Sequence, residues 1–142
     1  MNISENFVIQ EFVPKEIYAQ FGDASLQFID PRIVAVVQLL RDLTGKAVTV
    51  NNWHTGGKYN ESGYRTPMTK TGAKYSQHKR GCAADVKVAG MTPKEVVALI
   101  LKNEKTFMDL GLTTIENTDA TPTWTHLDCR WTRLSKIRFV NP

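Results

Sequence analysis

The sequence predicts an α+β domain in which helices pack on one face of a mainly antiparallel sheet. Segments with helical periodicity begin at recognisable capping residues, and short segments rich in β-branched residues alternate with them. Two β-prone segments near the end flank a turn-forming stretch. Because 142 residues suit one domain, we expect a single unit over residues 1–142, with residues 1–30 as an N-terminal arm packed on it.

The first two helices are marked by their ends. Residues 14–21 can form about two turns of helix before Gly22 ends it. Asp30 is a good N-cap for a helix that begins at Pro31, and apolar residues then recur at helical spacing up to a glycine. This pattern predicts a helix over residues 31–44.

Two strands, a long loop and a further helix follow. Residues 47–51 and 82–88 are rich in β-branched and apolar side chains, which predicts two strands. Residues 52–75, between them, are polar and contain several glycines, and a loop this long inside a compact domain usually has a function. Residues 92–95 form a capping box with proline at the first helical position, so a helix is predicted over residues 93–104.

The last part of the chain has the pattern of a β-hairpin. Residues 113–118 and 124–130 are β-prone, and residues 119–123 between them favour a turn. Residues 137–140 are predicted to add one more strand.

Charge and composition limit the possible function classes. The net charge of +4 and the pI near 9.1 suit an anionic partner. No helix carries a stripe of Arg and Lys and no aromatic-rich RNA-binding signature occurs, so we do not expect nucleic acid; an anionic cell-wall polymer matches the charge equally well. There is neither a secretory leader nor a run of about 18 apolar residues, so we expect synthesis in the cytoplasm and no membrane association.

Three residues are candidate ligands for a metal ion. His78, Asp85 and His126 supply two imidazoles and one carboxylate, a set common in catalytic zinc sites because three protein ligands leave one position open. The spacing alone does not decide the matter, since a lone histidine is more often structural. Cys82 and Cys129 are too few and too far apart for a thiolate site, and we expect two small buried thiols.

A resemblance to a known family strengthens this assignment. Residues 76–85 resemble the Ser-x-His-x-x-Gly-x-Ala-x-Asp motif of the zinc D-alanyl-D-alanine peptidases, which share their fold with the Hedgehog signalling domain. All fixed positions of the motif are matched, by Ser76, His78, Gly81, Ala83 and Asp85. Residues 62–67 are similar to the Ser-Gly-Tyr-Arg segment that precedes the motif, and residues 124–128 are similar to the Trp-x-His-x-Asp strand that follows it.

The resemblance implies a Hedgehog/DD-peptidase-like fold, one zinc ion held by these three ligands, and hydrolysis of a peptide bond in bacterial peptidoglycan. The substrate is a stem peptide or a cross-link, so the activity is that of a carboxypeptidase or an endopeptidase, and we expect a monomer. Arg65 would hold a substrate carboxylate or carbonyl, although it could instead brace its loop. Ser76 would donate to substrate or fix the turn before His78.

The general base is the point at which the sequence departs from the family. Many relatives carry an acidic residue three positions before the last histidine ligand, and here that position is Thr123. Glu116 is the preferred replacement, because the hairpin would set it almost opposite Thr125 or His126. Asp119 in the turn is the second candidate for the base.

Asp128 shares strand parity with His126 and could orient an imidazole from behind; a salt bridge to Arg130 or Arg65 is the alternative. His54 lies in the long loop, where an exposed residue without a metal role is the simpler interpretation.

Two less specific segments are similar to phage and prophage versions of this domain. They are residues 11–13 in the arm and residues 51–57 in the long loop. They imply an endolysin or a virion-associated lysin that reaches the wall by holin-type release or on a phage particle. The alternative is a non-catalytic module of the same fold that keeps zinc for stability and binds the wall or a virion partner, and Thr123 favours that alternative.

Overall fold

A computed structural model describes all 142 residues and contains four α-helices and a five-stranded sheet. The helices are Lys15–Phe21 (α1), Pro31–Thr44 (α2), Pro93–Lys102 (α3) and Glu104–Leu110 (α4). The strands are Val48–Thr49 (β1), Ala83–Val88 (β2), Thr114–Glu116 (β3), Thr125–Asp128 (β4) and Arg138–Val140 (β5). None of the helices combines the length and the apolar character needed to cross a membrane.

The sheet has the strand order β1-β2-β4-β3-β5. Every neighbouring pair is antiparallel except β3 and β5, which run parallel. The predicted α+β class with a mainly antiparallel sheet is therefore confirmed. The predicted hairpin is β3 and β4, and the extra strand expected near the end of the chain is β5.

The two faces of the sheet have different surroundings. On β2, Ala84 and Val86 are buried in the hydrophobic core, whereas Asp85 and Lys87 alternate with them and point to the other face. Helix α2 packs against β1 and β2, and α3 packs against β4. The helices therefore cover the apolar face, and the opposite face is left for polar side chains.

Helix α2 forms where the sequence predicts it, and the prediction for the next helix is wrong at its end. The Asp30 carboxylate accepts a hydrogen bond from the Arg32 backbone N–H, as an N-cap does. Helix α3 ends at Lys102, because the Asn103 side chain bonds the Leu99 carbonyl and interrupts the helix. A separate helix, α4, then follows and buries Phe107 in the core.

The N-terminal arm lies beneath the loops that precede β2. Its residues Phe7, Ile9 and Phe12 are fully or almost fully buried and belong to the same core cluster as α2 and the sheet. The arm also bonds these loops through its backbone: the Tyr64 N–H donates to the Phe12 carbonyl at 2.7 Å, and the Asp30 N–H donates to the Gly81 carbonyl at 3.0 Å.

Gly81 is required both by its backbone angle and by its neighbour. Its φ is +71°, and a Cβ at this position would lie 1.9 Å from the Phe28 carbonyl oxygen. Gly45, which ends α2, has a similar φ of +63° but nothing within 4 Å of an added Cβ. The motif glycine is therefore fixed by the close approach of the arm as well as by the turn.

We predict that Gly81→Ala destabilises the protein much more than Gly45→Ala does. The left-handed conformation alone costs an alanine about 1–2 kcal/mol, and the clash with the Phe28 carbonyl raises the loss at position 81 to about 3 kcal/mol or more. Urea unfolding of both variants and the unmodified protein measures the difference. Equal losses of unfolding free energy would show that the arm does not constrain this turn.

Candidate metal centre and active-site cleft

Three secondary-structure elements bring the candidate ligands together. His78 lies in a 3₁₀ turn at Gln77–Arg80, whose N-cap Ser76 accepts a hydrogen bond from the His78 N–H at 3.3 Å. Asp85 on β2 is directly opposite His126 on β4 in the antiparallel register. Because opposite residues of an antiparallel pair point to the same face, both side chains meet the imidazole that comes from the turn.

The three ligand atoms have the spacing of a tetrahedral zinc site. His78 Nε2 is 3.2 Å from His126 Nδ1 and 3.2 Å from Asp85 Oδ1, and His126 Nδ1 is 3.0 Å from Asp85 Oδ1. Tetrahedral bonds of about 2.0–2.1 Å place neighbouring ligand atoms about 3.3 Å apart. The donor set and its spacing therefore fit a zinc ion with little rearrangement.

Each imidazole is held from behind by a hydrogen-bond acceptor. His78 Nδ1 is 2.8 Å from the Gly63 carbonyl, and His126 Nε2 is 2.8 Å from the Asp128 carboxylate, which is fully buried. A carbonyl or a carboxylate can only accept, so these ring nitrogens carry the hydrogen. The other two nitrogens, His78 Nε2 and His126 Nδ1, face the centre, and in the neutral rings they carry the lone pairs that can bind a metal.

Arg65 holds the third candidate ligand, Asp85. Its Nη2 donates to Asp85 Oδ2 at 3.1 Å, and its Nε donates to the Glu61 carbonyl at 2.7 Å. The Arg65 side chain is only 11% exposed, although it forms part of the cleft wall. These contacts indicate that Arg65 orients Asp85. Because Arg65 binds Oδ2, the other oxygen of the carboxylate, Oδ1, is free to face the candidate metal centre.

The charges in this buried cluster stabilise one another. Burial alone would raise the pKa of Asp85, but hydrogen bonds from His126 and His78 hold it well below its usual value. Burial likewise opposes a charge on His126, and hydrogen bonds to Asp128 and Asp85 outweigh it and raise the pKa of this imidazole to about 9. A metal ion at His126 Nδ1 would take the place of that proton.

The ligands lie at one side of an open cleft of about 430 Å³. Its walls are formed by the loop before the 3₁₀ turn, by residues at the ends of β3 and β4, and by the last residues of the chain. Besides the three ligands, the lining residues include Arg65, Tyr75, Ser76, Glu116, Trp124 and Arg130. Such a cleft can admit a peptide while the floor holds a metal.

The two candidate bases occupy different environments. Glu116 lines the cleft, and its Oε1 is 3.7 Å from His126 Nδ1. Asp119 does not line the cleft; its side chain is 93% exposed and lies 3.9 Å from Lys94 Nζ. Thr123 is also exposed and outside the cleft. Of the two candidate bases, only Glu116 is brought to the candidate ligands.

The remaining candidates are placed as follows. Asp128 contacts both His126 and Arg130, so the two interpretations of its role are compatible. Cys82 and Cys129 are buried, free and outside the ligand group. Burial raises the pKa of the Cys129 thiol to about 12, which keeps it protonated. His54 is exposed in its loop and does not join the ligands.

Sequence reasoning missed two parts of the cleft wall. One is Arg130, which the sequence suggested only as a salt-bridge partner of Asp128 and not as part of the cleft wall. The other is the anchoring of the long loop: the hydroxyls of Thr69 and Thr71 donate to the Glu61 carboxylate at 2.9 and 2.6 Å. These bonds hold the loop over Arg65.

Comparisons with known proteins agree with this picture. A family model described as Peptidase M15 matches residues 10–128, which is most of the chain and includes every candidate ligand. Searches of curated proteins and of solved structures gave no significant match.

We predict that Asp128→Asn weakens zinc binding by about 10- to 100-fold, because the buried carboxylate that orients His126 and increases its basicity is lost. Competition with a chromogenic chelator measures the affinity. The matched control is Asp119→Asn, which removes the same charge from an exposed turn and should leave the affinity unchanged. Equal affinities for all three proteins would contradict the role assigned to Asp128.

Proposed function

Because the chain belongs to the peptidase M15 family, we propose that it uses one zinc ion to hydrolyse a peptide bond in bacterial peptidoglycan. The fold expected from the resemblance to the Hedgehog domain and the DD-peptidases fits this family. The observation that carries the proposal is the convergence of His78, Asp85 and His126 beside a cleft that also contains Glu116.

The three ligands would hold the metal through His78 Nε2, Asp85 Oδ1 and His126 Nδ1. When bound, zinc supplies Lewis-acid chemistry, which makes water nucleophilic near neutral pH and polarises a carbonyl. The chain contributes preorganisation: Gly63, Arg65 and Asp128 fix the three ligands, so little rearrangement accompanies binding.

Glu116 is proposed as the general base and acid. Its carboxylate is 16% exposed and lies within reach of the ligands, so it can accept a proton from the attacking water. The same oxygen then donates that proton to the leaving amine, which completes the peptide cleavage. The Asp119 carboxylate is exposed to solvent and does not line the cleft, so it is not placed to act as the base.

Ser76 and Arg65 are proposed to have two roles: they position the metal ligands, and they contact the substrate. Both residues line the cleft, so each can also contact a carbonyl of the bound substrate. Their contacts inside the chain, with the His78 N–H and with Asp85, favour positioning as their main contribution.

Peptidoglycan as substrate is supported by the family and by the net charge of +4, which suits an anionic wall. A lysin of phage or prophage origin is the finer form of the proposal, supported by the two segments that resemble phage versions. A wall-binding module without activity remains the second candidate, favoured by Thr123. The presence of Glu116 in the cleft argues against it.

We predict that Glu116→Gln lowers peptide release by about 100- to 10,000-fold while zinc content is unchanged, because a proton carrier is lost and the ligands remain. Asp119→Asn is the matched control and should keep full activity. His126→Ala should lose both zinc and activity. Peptide release is measured on purified peptidoglycan, with zinc analysis of each protein, and full activity of Glu116→Gln would remove this residue as the base.

The products distinguish the possible bonds and the second candidate. We expect mass spectrometry of digested walls to show new peptide ends whose identity reveals the bond. Cleavage of cross-links, or of the peptide bond near the start of the stem peptide, lowers the turbidity of a wall suspension. Removal of the terminal D-alanine leaves the network intact, so the turbidity stays unchanged. Retention on the wall without any released peptide or amino acid would establish the binding module instead.

A further inference from the structure

The cleft contains two arginines that are held in different ways. Arg65 donates Nε to the Glu61 carbonyl and Nη2 to Asp85, and its Nη1 lies under the loop, where a Cβ on Gly72 would come within 2.6 Å. Its Nη1 donates no hydrogen bond within the chain, but with 11% of its side chain exposed this guanidinium is the less accessible of the two.

Arg130 presents a free edge to the cleft. Its Nε and Nη2 donate to the two oxygens of Asp128 at 2.9 and 2.6 Å, a side-on pairing that uses one edge of the planar group. Its Nη1 donates no hydrogen bond within the chain, and the side chain is 26% exposed. The edge formed by Nη1 and Nη2 is therefore available to another carboxylate.

The surroundings of Arg130 favour an anionic group from the substrate. Asp128 is fully buried, and its two oxygens hold the guanidinium in one orientation through paired hydrogen bonds. The hydrogen bond to Asp128 raises the pKa of Arg130 and the charge of Glu116 adds to this effect, yet Glu116 forms no salt bridge with Arg130. A guanidinium that is fixed in place and has an unused fork is preorganised for a bidentate carboxylate contact.

We propose that Arg130 binds a carboxylate of the substrate close to the bond that is cut, a role that the family resemblance would assign to Arg65. The inference rests on the proposed peptidase function and narrows its substrate: a peptide with a free carboxylate next to the scissile bond is preferred to its amide. Arg130 is then a specificity-determining residue, and Arg65 a positioning residue for Asp85.

The test compares two synthetic stem peptides ending in D-Ala-D-Ala, one with free carboxylates and one with every carboxylate amidated. The zinc-loaded proteins are wild type, Arg130→Gln, Arg130→Lys and the control Arg133→Gln, which removes the same charge from an exposed residue outside the cleft. For each protein kcat/KM on both peptides and zinc content are measured.

We expect wild type and Arg133→Gln to prefer the carboxylate peptide by about 10- to 100-fold. Arg130→Gln should lose this preference by slowing only on the carboxylate peptide, and Arg130→Lys, which keeps the charge without the fork, should retain part of it. Equal slowing on both peptides would mean that Arg130 acts only by supporting Asp128 and His126, and would overturn the proposal. Absence of any preference in wild type would overturn it as well.

Binding provides a measurement that does not depend on turnover. Calorimetry with the two peptides is performed on Glu116→Gln, with and without Arg130→Gln, and on wild type if that protein cleaves neither peptide. Carboxylate-dependent affinity that Arg130→Gln abolishes supports the proposal, and equal affinity for the two peptides refutes it. Failure of wild type to cleave either the peptides or whole peptidoglycan would count against the peptidase function, which is a separate result.

Discussion

The antiparallel register between β2 and β4 is the constraint on which the centre depends. It sets Asp85 opposite His126 and points both side chains away from the core. A shift of one residue would turn the imidazole into the apolar face and bring Leu127 to the cleft. The alternation of buried alanine and valine with polar residues on β2 opposes such a shift, because the helices cover only one face.

The buried polar side chains of the candidate metal centre are tolerated because each candidate ligand has a hydrogen-bond partner outside the ligand group. The Gly63 carbonyl, Arg65 and Asp128 each satisfy an atom of a ligand that faces away from the centre. Loss of one such partner leaves a buried group unsatisfied, at a cost of about 1–3 kcal/mol. The N-terminal arm supports the same arrangement, since its backbone fixes the loops that carry Tyr64 and Gly81. Fold stability and site geometry are thus linked through these loops.

Local signals predicted most of the elements, and the misses have local causes too. The helix over residues 31–44 follows from an N-cap, a periodic apolar face and a final glycine, all of which are short-range. The helix predicted over residues 93–104 ends at Lys102, because the Asn103 side chain competes for the Leu99 carbonyl, and the helix α4 that follows was not predicted. Strand ends were placed less well than helix starts, since strands have no caps.

The sequence by itself determined the candidate donor set of His78, Asp85 and His126, because residue types, spacing and the surrounding motifs identify it. Only the tertiary structure decided which acid and which arginine face that set. Arg130 has a free edge because Asp128 occupies only its other edge. Glu116 reaches the ligands through the register of the β3–β4 hairpin and through the pairing of β4 with β2, which is distant from it in sequence. Such pairing is a property of the packed sheet, and no local pattern specifies it.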